Sequence, residues 1–356
     1  MWSDGGSDPG ARGDGDVVLL REGPATTLAR VSNPDRHPTE VTCDGREDGR
    51  HGPVVLPSRD VPLGGPRAML VRRSLPHRDR SLIGAWCFVD HYGPADVTAT
   101  GGMVVPGHPH TGLQTVSWLF SGEIEHRDTT GAHAIVRPGE VNLMTAGRGI
   151  AHSEYSTPAT TTLHGAQLWV ALPEAHRFAE PGFEHYAPPV VEVDGARVLV
   201  FLGSLLGQVS PVSMHTELVG AEVTLAAGAS LDIGVDAGHE HGLLCDTGTV
   251  SVGPATAKPG EIVFVPTGAS SITVEAGDEP TRLLLLGGAP LGEQIVMWWN
   301  FIGRSHDEIV DFRERWQQAR ETRGGGEHGD YGPFPQAWAT TLPAPELPNL
   351  RLRSRG

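Results

Sequence analysis

The chain has 356 residues, enough to bury one large hydrophobic core or two medium ones. Its formal charge of −16 argues against nucleic acid or an anionic membrane surface as a direct partner. Three widely spaced cysteines, Cys43, Cys87 and Cys245, form no CxxC pair and give no disulfide framework, which fits a reducing compartment. No apolar run reaches membrane-spanning length and no apolar segment follows Met1, so the expected location is the cytoplasm. Glycine (47) and proline (29) make up about a fifth of the chain, a proportion that suits a turn-rich β protein.

Residues 1–59 lack sustained periodicity. The opening WSDGGSDPGARGDGD cannot bury enough apolar area to offset its ordering entropy, and VVLL at 17–20 is a lone apolar island. The segment reads as a disordered extension. From residue 60 the pattern tightens into strand-like runs, Ala68–Val71 and Trp86–Val89, followed by a turn at Tyr92-Gly93-Pro94. Asp90 and His91, between them, are expected to serve as hydrogen-bonding residues.

The stretch from Gly102 to Glu154 carries the chemistry. TVSWLF alternates side chains between two faces, and turns follow at Ser121-Gly122, Thr130-Gly131 and Pro138-Gly139, so the stretch reads as a β-meander. Two short pairs bracket it: His108 with His110, and His152 with Glu154. In a strand, positions i and i+2 share a face, so each pair can aim both members at one point. One H-x-H supplies too few ligands for a metal. Three imidazoles and a carboxylate together would hold a divalent first-row metal and leave positions open for a guest. Gln114 and Ser153 are near enough in sequence to orient those ligands. The other histidines, among them His126, His133, His164, His176 and His185, are expected to be hydrogen-bonded or solvated.

LHGAQLWVAL (163–172) has the period of a half-buried strand, and residues 173–195 read as a loop-rich connection. Beyond them, short strands recur at about ten-residue spacing with turns at Gly248 and Pro259-Gly260, a second sandwich or barrel that repeats the first plan. Its His239 and His241 have no H-x-E to complete a ligand set. Trp298-Trp299 is a packing element. Ser305 and Glu308 have capping-box spacing, Ile309, Phe312 and Trp316 share one helical face, and Gly324 ends the helix. Prolines keep the last residues extended.

Several motifs carry a family resemblance. Gly102-MVVPG-His108-Pro109-His110 resembles the opening of a cupin, with Gln114 where most cupins have glutamate. Gly147-Arg148-Gly149-Ile150-Ala151-His152-Ser153-Glu154 is similar to the second motif of the pirin family, a bicupin group. FVDHYGP, the MWWNFIG stretch and the PAPELPNLRL tail resemble pirin segments too, so the likeness spans roughly residues 60–353. It implies an all-β fold of two tandem cupin (jelly-roll) barrels with a short C-terminal helix. A metal-binding domain would occupy 60–190, a domain without a full ligand set 195–323, and a tail packing back on the first domain 324–356. It makes His108, His110, His152 and Glu154 the ligands of one divalent metal. Iron(II) suits the set first, with manganese, nickel, cobalt, copper and zinc also compatible. It sets Gln167 and Trp169 near the cavity, with core packing the simpler role for Trp169. The implied activity is that of a quercetinase: a small aromatic flavonol and O2 react, Glu154 takes the hydroxyl proton, and carbon monoxide leaves. The alternative is a metal- or redox-dependent regulator, without turnover, that binds a transcription factor or an enzyme.

Overall fold

The computed structural model describes residues 41–43, 52–63, 69–324, 329–348 and 352. Two consecutive β units share one plan, each with a seven-stranded and a four-stranded sheet. In the first unit the large sheet runs Gly182–Tyr186, Val141–Thr145, Leu113–Ser121, Thr162–Ala171, Trp86–Asp96, Met69–Leu75, Arg59–Leu63. The small sheet runs Val104–His110, Ile150–Ser156, Ile124–Asp128, His133–Val136. The strands pair antiparallel, as hairpin connections allow. Gly122 sits at a turn with φ 84°, where a side chain would be strained.

The second unit repeats this. Its large sheet contains Ala196–Leu202, Leu218–Leu225, Thr281–Gly288, Glu240–Thr247 and Ile262–Val265 as consecutive neighbours. Its own core lies between its two sheets and is almost wholly aliphatic, with Leu231, Leu243, Val263, Val274 and Leu285 buried.

The two large sheets also share a core. Val116, Trp118, Ala166 and Leu168 of the first pack with Phe201, Leu244, Phe264 and Leu284 of the second. This changes the reading of the strand at 163–172. Its alternation is real, but both faces are covered. Ala166, Leu168 and Val170 belong to the shared core, while Trp169 and Ala171 belong to the inner core of the first unit. The second unit closes the face that a lone antiparallel sheet would leave to water.

Two segments expected to be irregular form edge strands. Within the extension, Val54–Leu56 pairs with Ile262–Val265 of the second unit, and Arg59–Leu63, which begins at its last residue, pairs with Met69–Leu75 of the first. Residues 54–63 therefore join both large sheets. Val41–Cys43 pairs with Ile295–Trp298. The tract at 1–15 and VVLL at 17–20 lie outside the described residues. Within 173–195, Gly182–Tyr186 and Val191–Val193 add an edge strand to each large sheet. These strands are three to five residues long, too short for a periodicity to show.

One helix, His306–Glu321, is present among the described residues. The Ser305 hydroxyl caps it by accepting from the Glu308 amide at 3.2 Å. Its apolar face buries Ile309, Phe312 and Trp316 against Trp298, Trp299 and Phe301. Gly324, at φ 86°, follows its end. This block, from Ile295 onward, lies on the first unit: Ile302 N donates to the Thr111 carbonyl at 2.9 Å. No helix among the described residues is long and apolar enough to cross a membrane.

A buried ionic cluster ties the units together. His91 Nε2 and His164 Nε2, from the first, each lie 2.6 Å from Oδ1 of Asp246, from the second. Arg282 Nε binds Asp246 Oδ2 at 2.7 Å. Asp90, next to His91, forms a bidentate pair with Arg73 at 2.7 and 2.8 Å. Burial opposes the charge on Asp246, but the bonds from His164 and His91 outweigh it and hold the carboxyl well below the usual range. Folding thus lowers this pKa. The stability that Asp246 contributes is complete above the ordinary value of 3.8 and is lost as pH falls below it. Asp246→Asn should destabilise the fold by about 3–5 kcal/mol at neutral pH, as removal of one partner from a buried charged cluster does. In thermal unfolding across pH, the gap between wild type and variant should shrink in acid.

Candidate metal centre

The site forms where Val104–His110 pairs with Ile150–Ser156. His152 stands directly opposite His108, and Ile150 opposite His110. The register then shifts by one residue, so that Glu154 faces Val105. A bulge of this kind re-aims side chains beside it. The three rings converge: centroids of His108 and His152 are 4.3 Å apart, His110 and His152 5.0 Å, His108 and His110 5.1 Å. One nitrogen from each ring lies within 4.8 Å of the others. All three rings are at most 1% exposed.

Hydrogen bonding sets which nitrogens are free. His108 Nδ1 lies 3.0 Å from the Pro106 carbonyl, which can only accept, so Nδ1 carries the proton and Nε2 is bare. His108 Nε2 and His152 Nε2 are buried without a protein hydrogen bond, and neither ring nitrogen of His110 has one of good geometry, although that ring lies against the Asn300 backbone. Burial pushes His108 down to about 4. Burial and the neighbouring rings hold His110 and His152 well below the ordinary histidine range. At neutral pH the rings are uncharged, the form that donates to a metal. Buried lone pairs with no protein donor, turned toward one another, fit a cation better than any other guest.

Glu154 is 3% exposed and shares the face of His152, yet its carboxyl is not among the mutually close donor atoms. Burial pushes it up to about 7, only partly offset by a hydrogen bond with Ser117. The Ser117 hydroxyl also reaches Gln167 Oε1 at 3.0 Å. Gln114 Nε2 donates to Thr145 Oγ1 at 2.9 Å, and the Ser153 hydroxyl accepts from Trp338 Nε1 at 2.8 Å. Trp169 meets His110 edge-on at 5.1 Å and stacks on Phe88 at 4.1 Å, so it packs and borders the site at once.

Other histidines sort themselves by surroundings. His133 is half exposed and bonds Glu125 at 2.7 Å, and His185 bonds Asn142 at 2.5 Å. His239 and His241 stay apart, with centroids 6.3 Å from each other. His126 is buried directly behind His152, with Asp128 next to it. His126 is hydrogen-bonded, as the sequence implies, but Asp128 carries no sequence signal of its own, although the two form an i, i+2 pair on Ile124–Asp128 like the two pairs at the candidate site.

The Pirin family profile matches residues 68–170, and the profile of the Pirin C-terminal cupin domain matches residues 220–322. The chain belongs to the pirin family. A Pseudomonas aeruginosa protein, provisionally named a quercetin 2,3-dioxygenase, is 39% identical over 79% of this chain and 90% of its own length. A pirin-like protein of Caulobacter vibrioides is 32% identical over 80% and 99%. Among solved structures, a quercetin 2,3-dioxygenase from Acinetobacter baumannii superposes with a TM-score of 0.77. It is 36% identical and covers 85% of this chain and 98% of its own. Both units of this pirin are thus cupin domains, and the converging rings lie in the N-terminal one.

The tail of this pirin braces the ligand strands. Thr341 bridges to Gly107, Leu342 N donates to the Gly107 carbonyl at 2.8 Å, and Tyr331 Oη lies 2.6 Å from Thr111 Oγ1. The Trp338 ring lies flush on Gly107, where an added Cβ would sit 2.5 Å from Cε3. The indole cannot retreat without losing its bond to Ser153. Gly107→Ala should therefore cost about 1–3 kcal/mol of overpacking. It should lower the unfolding temperature and, through the adjacent His108, weaken metal retention in the same preparation.

Proposed function

We propose that this pirin is a metal-dependent dioxygenase that opens the ring of a flavonol such as quercetin with O2 and releases carbon monoxide. The observation that carries the reading is the set of three buried, neutral imidazoles whose unpartnered nitrogens face one another. The names of the Pseudomonas and Acinetobacter relatives support the substrate class. His108, His110 and His152 would hold the metal, with Glu154 as the fourth ligand or its immediate neighbour. Iron(II) is the metal we favour for this donor set. When bound, it would supply Lewis acidity and a redox partner for substrate and O2.

The protein's own part is positional and acid–base. The rings stay neutral and fixed because Pro106 and the surrounding core hold them in place. Glu154, with its carboxyl at about 7, is matched to take a phenolic or enolic proton near neutral pH. Trp169 gives the site an apolar edge suited to an aromatic guest.

A second reading is a metal-dependent regulator that binds a protein partner without turnover. It is favoured by the burial of all four side chains, none more than 3% exposed, which leaves a substrate no ready path. An aerobic assay of metal-loaded protein separates the two. Flavonol loss with stoichiometric carbon monoxide, abolished in His110→Ala together with bound metal, is the outcome expected of the enzyme. Full metal occupancy without flavonol loss would favour the regulator.

The raised carboxyl makes a pH prediction. Glu154 takes up a proton as pH falls through about 7, whereas His108 resists protonation down to about 4. Metal affinity of the apo protein should weaken as pH drops from 8 to 6, because the proton competes at the carboxyl. Glu154→Gln should bind more weakly at pH 8 and lose that pH dependence, as read by chelator competition.

A further inference from the structure

Behind the converging rings lies a second layer of buried polar groups on Ile124–Asp128. This strand pairs with Ile150–Ser156, so that Asp128 stands opposite His152 and His126 opposite Glu154. His126 Nδ1 lies 3.3 Å from His152 Nδ1, and His126 Nε2 lies 3.0 Å from Asp128 Oδ2. The His126 ring stacks on Phe183, centroids 4.5 Å apart and planes within 24°, which fixes its orientation. His126 is 4% exposed and Asp128 1%, so water does not compete for these bonds.

Asp128 dictates where the protons sit. Its Oδ1 accepts from Thr130 N at 2.8 Å, Thr130 Oγ1 at 2.7 Å and Ala132 N at 3.1 Å. A carboxylate can only accept, so the proton in the contact with His126 belongs to Nε2 of that ring. With a single ring proton, held at Nε2, His126 presents a bare Nδ1. The hydrogen bond at 3.3 Å therefore needs its proton on Nδ1 of His152, and His152 Nε2 is left with its lone pair toward His108 and His110.

Building on the reading of those three histidines as metal ligands, we propose that Asp128 and His126 form a positioning relay that locks His152 in its metal-binding tautomer. The same relay fixes the ring's direction, since among the described residues the His152–His126 bond is its one hydrogen bond to another side chain. Metal-bound imidazoles commonly donate their second nitrogen to a neighbour, but here the neighbour is another imidazole with a carboxylate behind it.

Asp128→Asn tests the relay with little change of shape. The three donors around Oδ1 require an oxygen there, so the amide NH2 must take the Oδ2 position and donate to His126 Nε2. His126 would then protonate on Nδ1, and His152 would be forced to carry its proton on Nε2. Long-range proton–nitrogen NMR of the metal-free protein reads this directly. The expected wild-type result is His152 protonated on Nδ1, with a switch to Nε2 in Asp128→Asn. Cobalt(II) affinity of the folded variant, measured by chelator competition, should fall about 10–100-fold, the range for loss of an outer-shell partner. An Nε2–H tautomer at His152 in the wild type would overturn the relay, and that measurement stands even if the variant does not fold. A folded variant with unchanged tautomer and unchanged cobalt affinity would also overturn it. Cobalt binding that is unaffected in His110→Ala would instead overturn the ligand assignment, while the tautomer measurement still judges the relay.

Discussion

The convergence of the three imidazoles depends on the antiparallel register that sets His152 across from His108. Side chains on a strand alternate, so a slip of one residue would turn both ligand pairs away from each other at once. The register is held from outside as well as by its own ladder. Thr341 and Leu342 of the tail bind the backbone at Gly107, and Trp338 reaches across to Ser153 on the partner strand. The tail thus touches both strands, next to His108 on one and between His152 and Glu154 on the other. A covered edge is also protected from pairing with other chains.

Among the described residues the second cupin domain brings no three such donors of its own together, but it determines the environment of the first. Its large sheet covers the outer face of the first, and Trp118 Nε1 donates across the boundary to Glu222 at 2.8 Å. Trp86 does the same to the Gly287 carbonyl at 3.1 Å. Strands buried on both faces have little freedom to shift, and a preorganised site needs that stiffness. The two units share a plan but differ in content, with the three converging imidazoles in the first and support from the second.

Parts of this were legible in the residues. H-x-H and H-S-E at i, i+2 spacing imply two converging pairs, of which the three imidazoles do converge, and the meander between them implies a sheet. The Ser305 cap and the face made by Ile309, Phe312 and Trp316 were equally readable, because capping and the 3.6-residue period are local. Val54–Leu56 was not readable. It is an edge strand of three residues whose partner, Ile262–Val265, lies far along the chain. The double burial of Leu163–Leu172 was not readable either, since alternation marks two faces without saying what lies against each. His126 and Asp128 carried the right spacing, but H-x-D looks the same whether it binds a metal, a neighbouring ring or water.

The sequence by itself carried the strand-rich class, the tandem plan and a set of candidate donors, of which the three histidines converge, because these follow from periodicity, turn chemistry and short-range spacing. Only the tertiary structure decided what the histidines it describes are for. His108, His110 and His152 converge, His126 stands behind one of them, and His91 and His164 clamp Asp246 of the other domain. An imidazole can donate, accept or ligate, and which it does depends on the atoms that folding brings to its two nitrogens. Those atoms come from strands, a helix and a tail that are distant in the chain, and no local pattern encodes them.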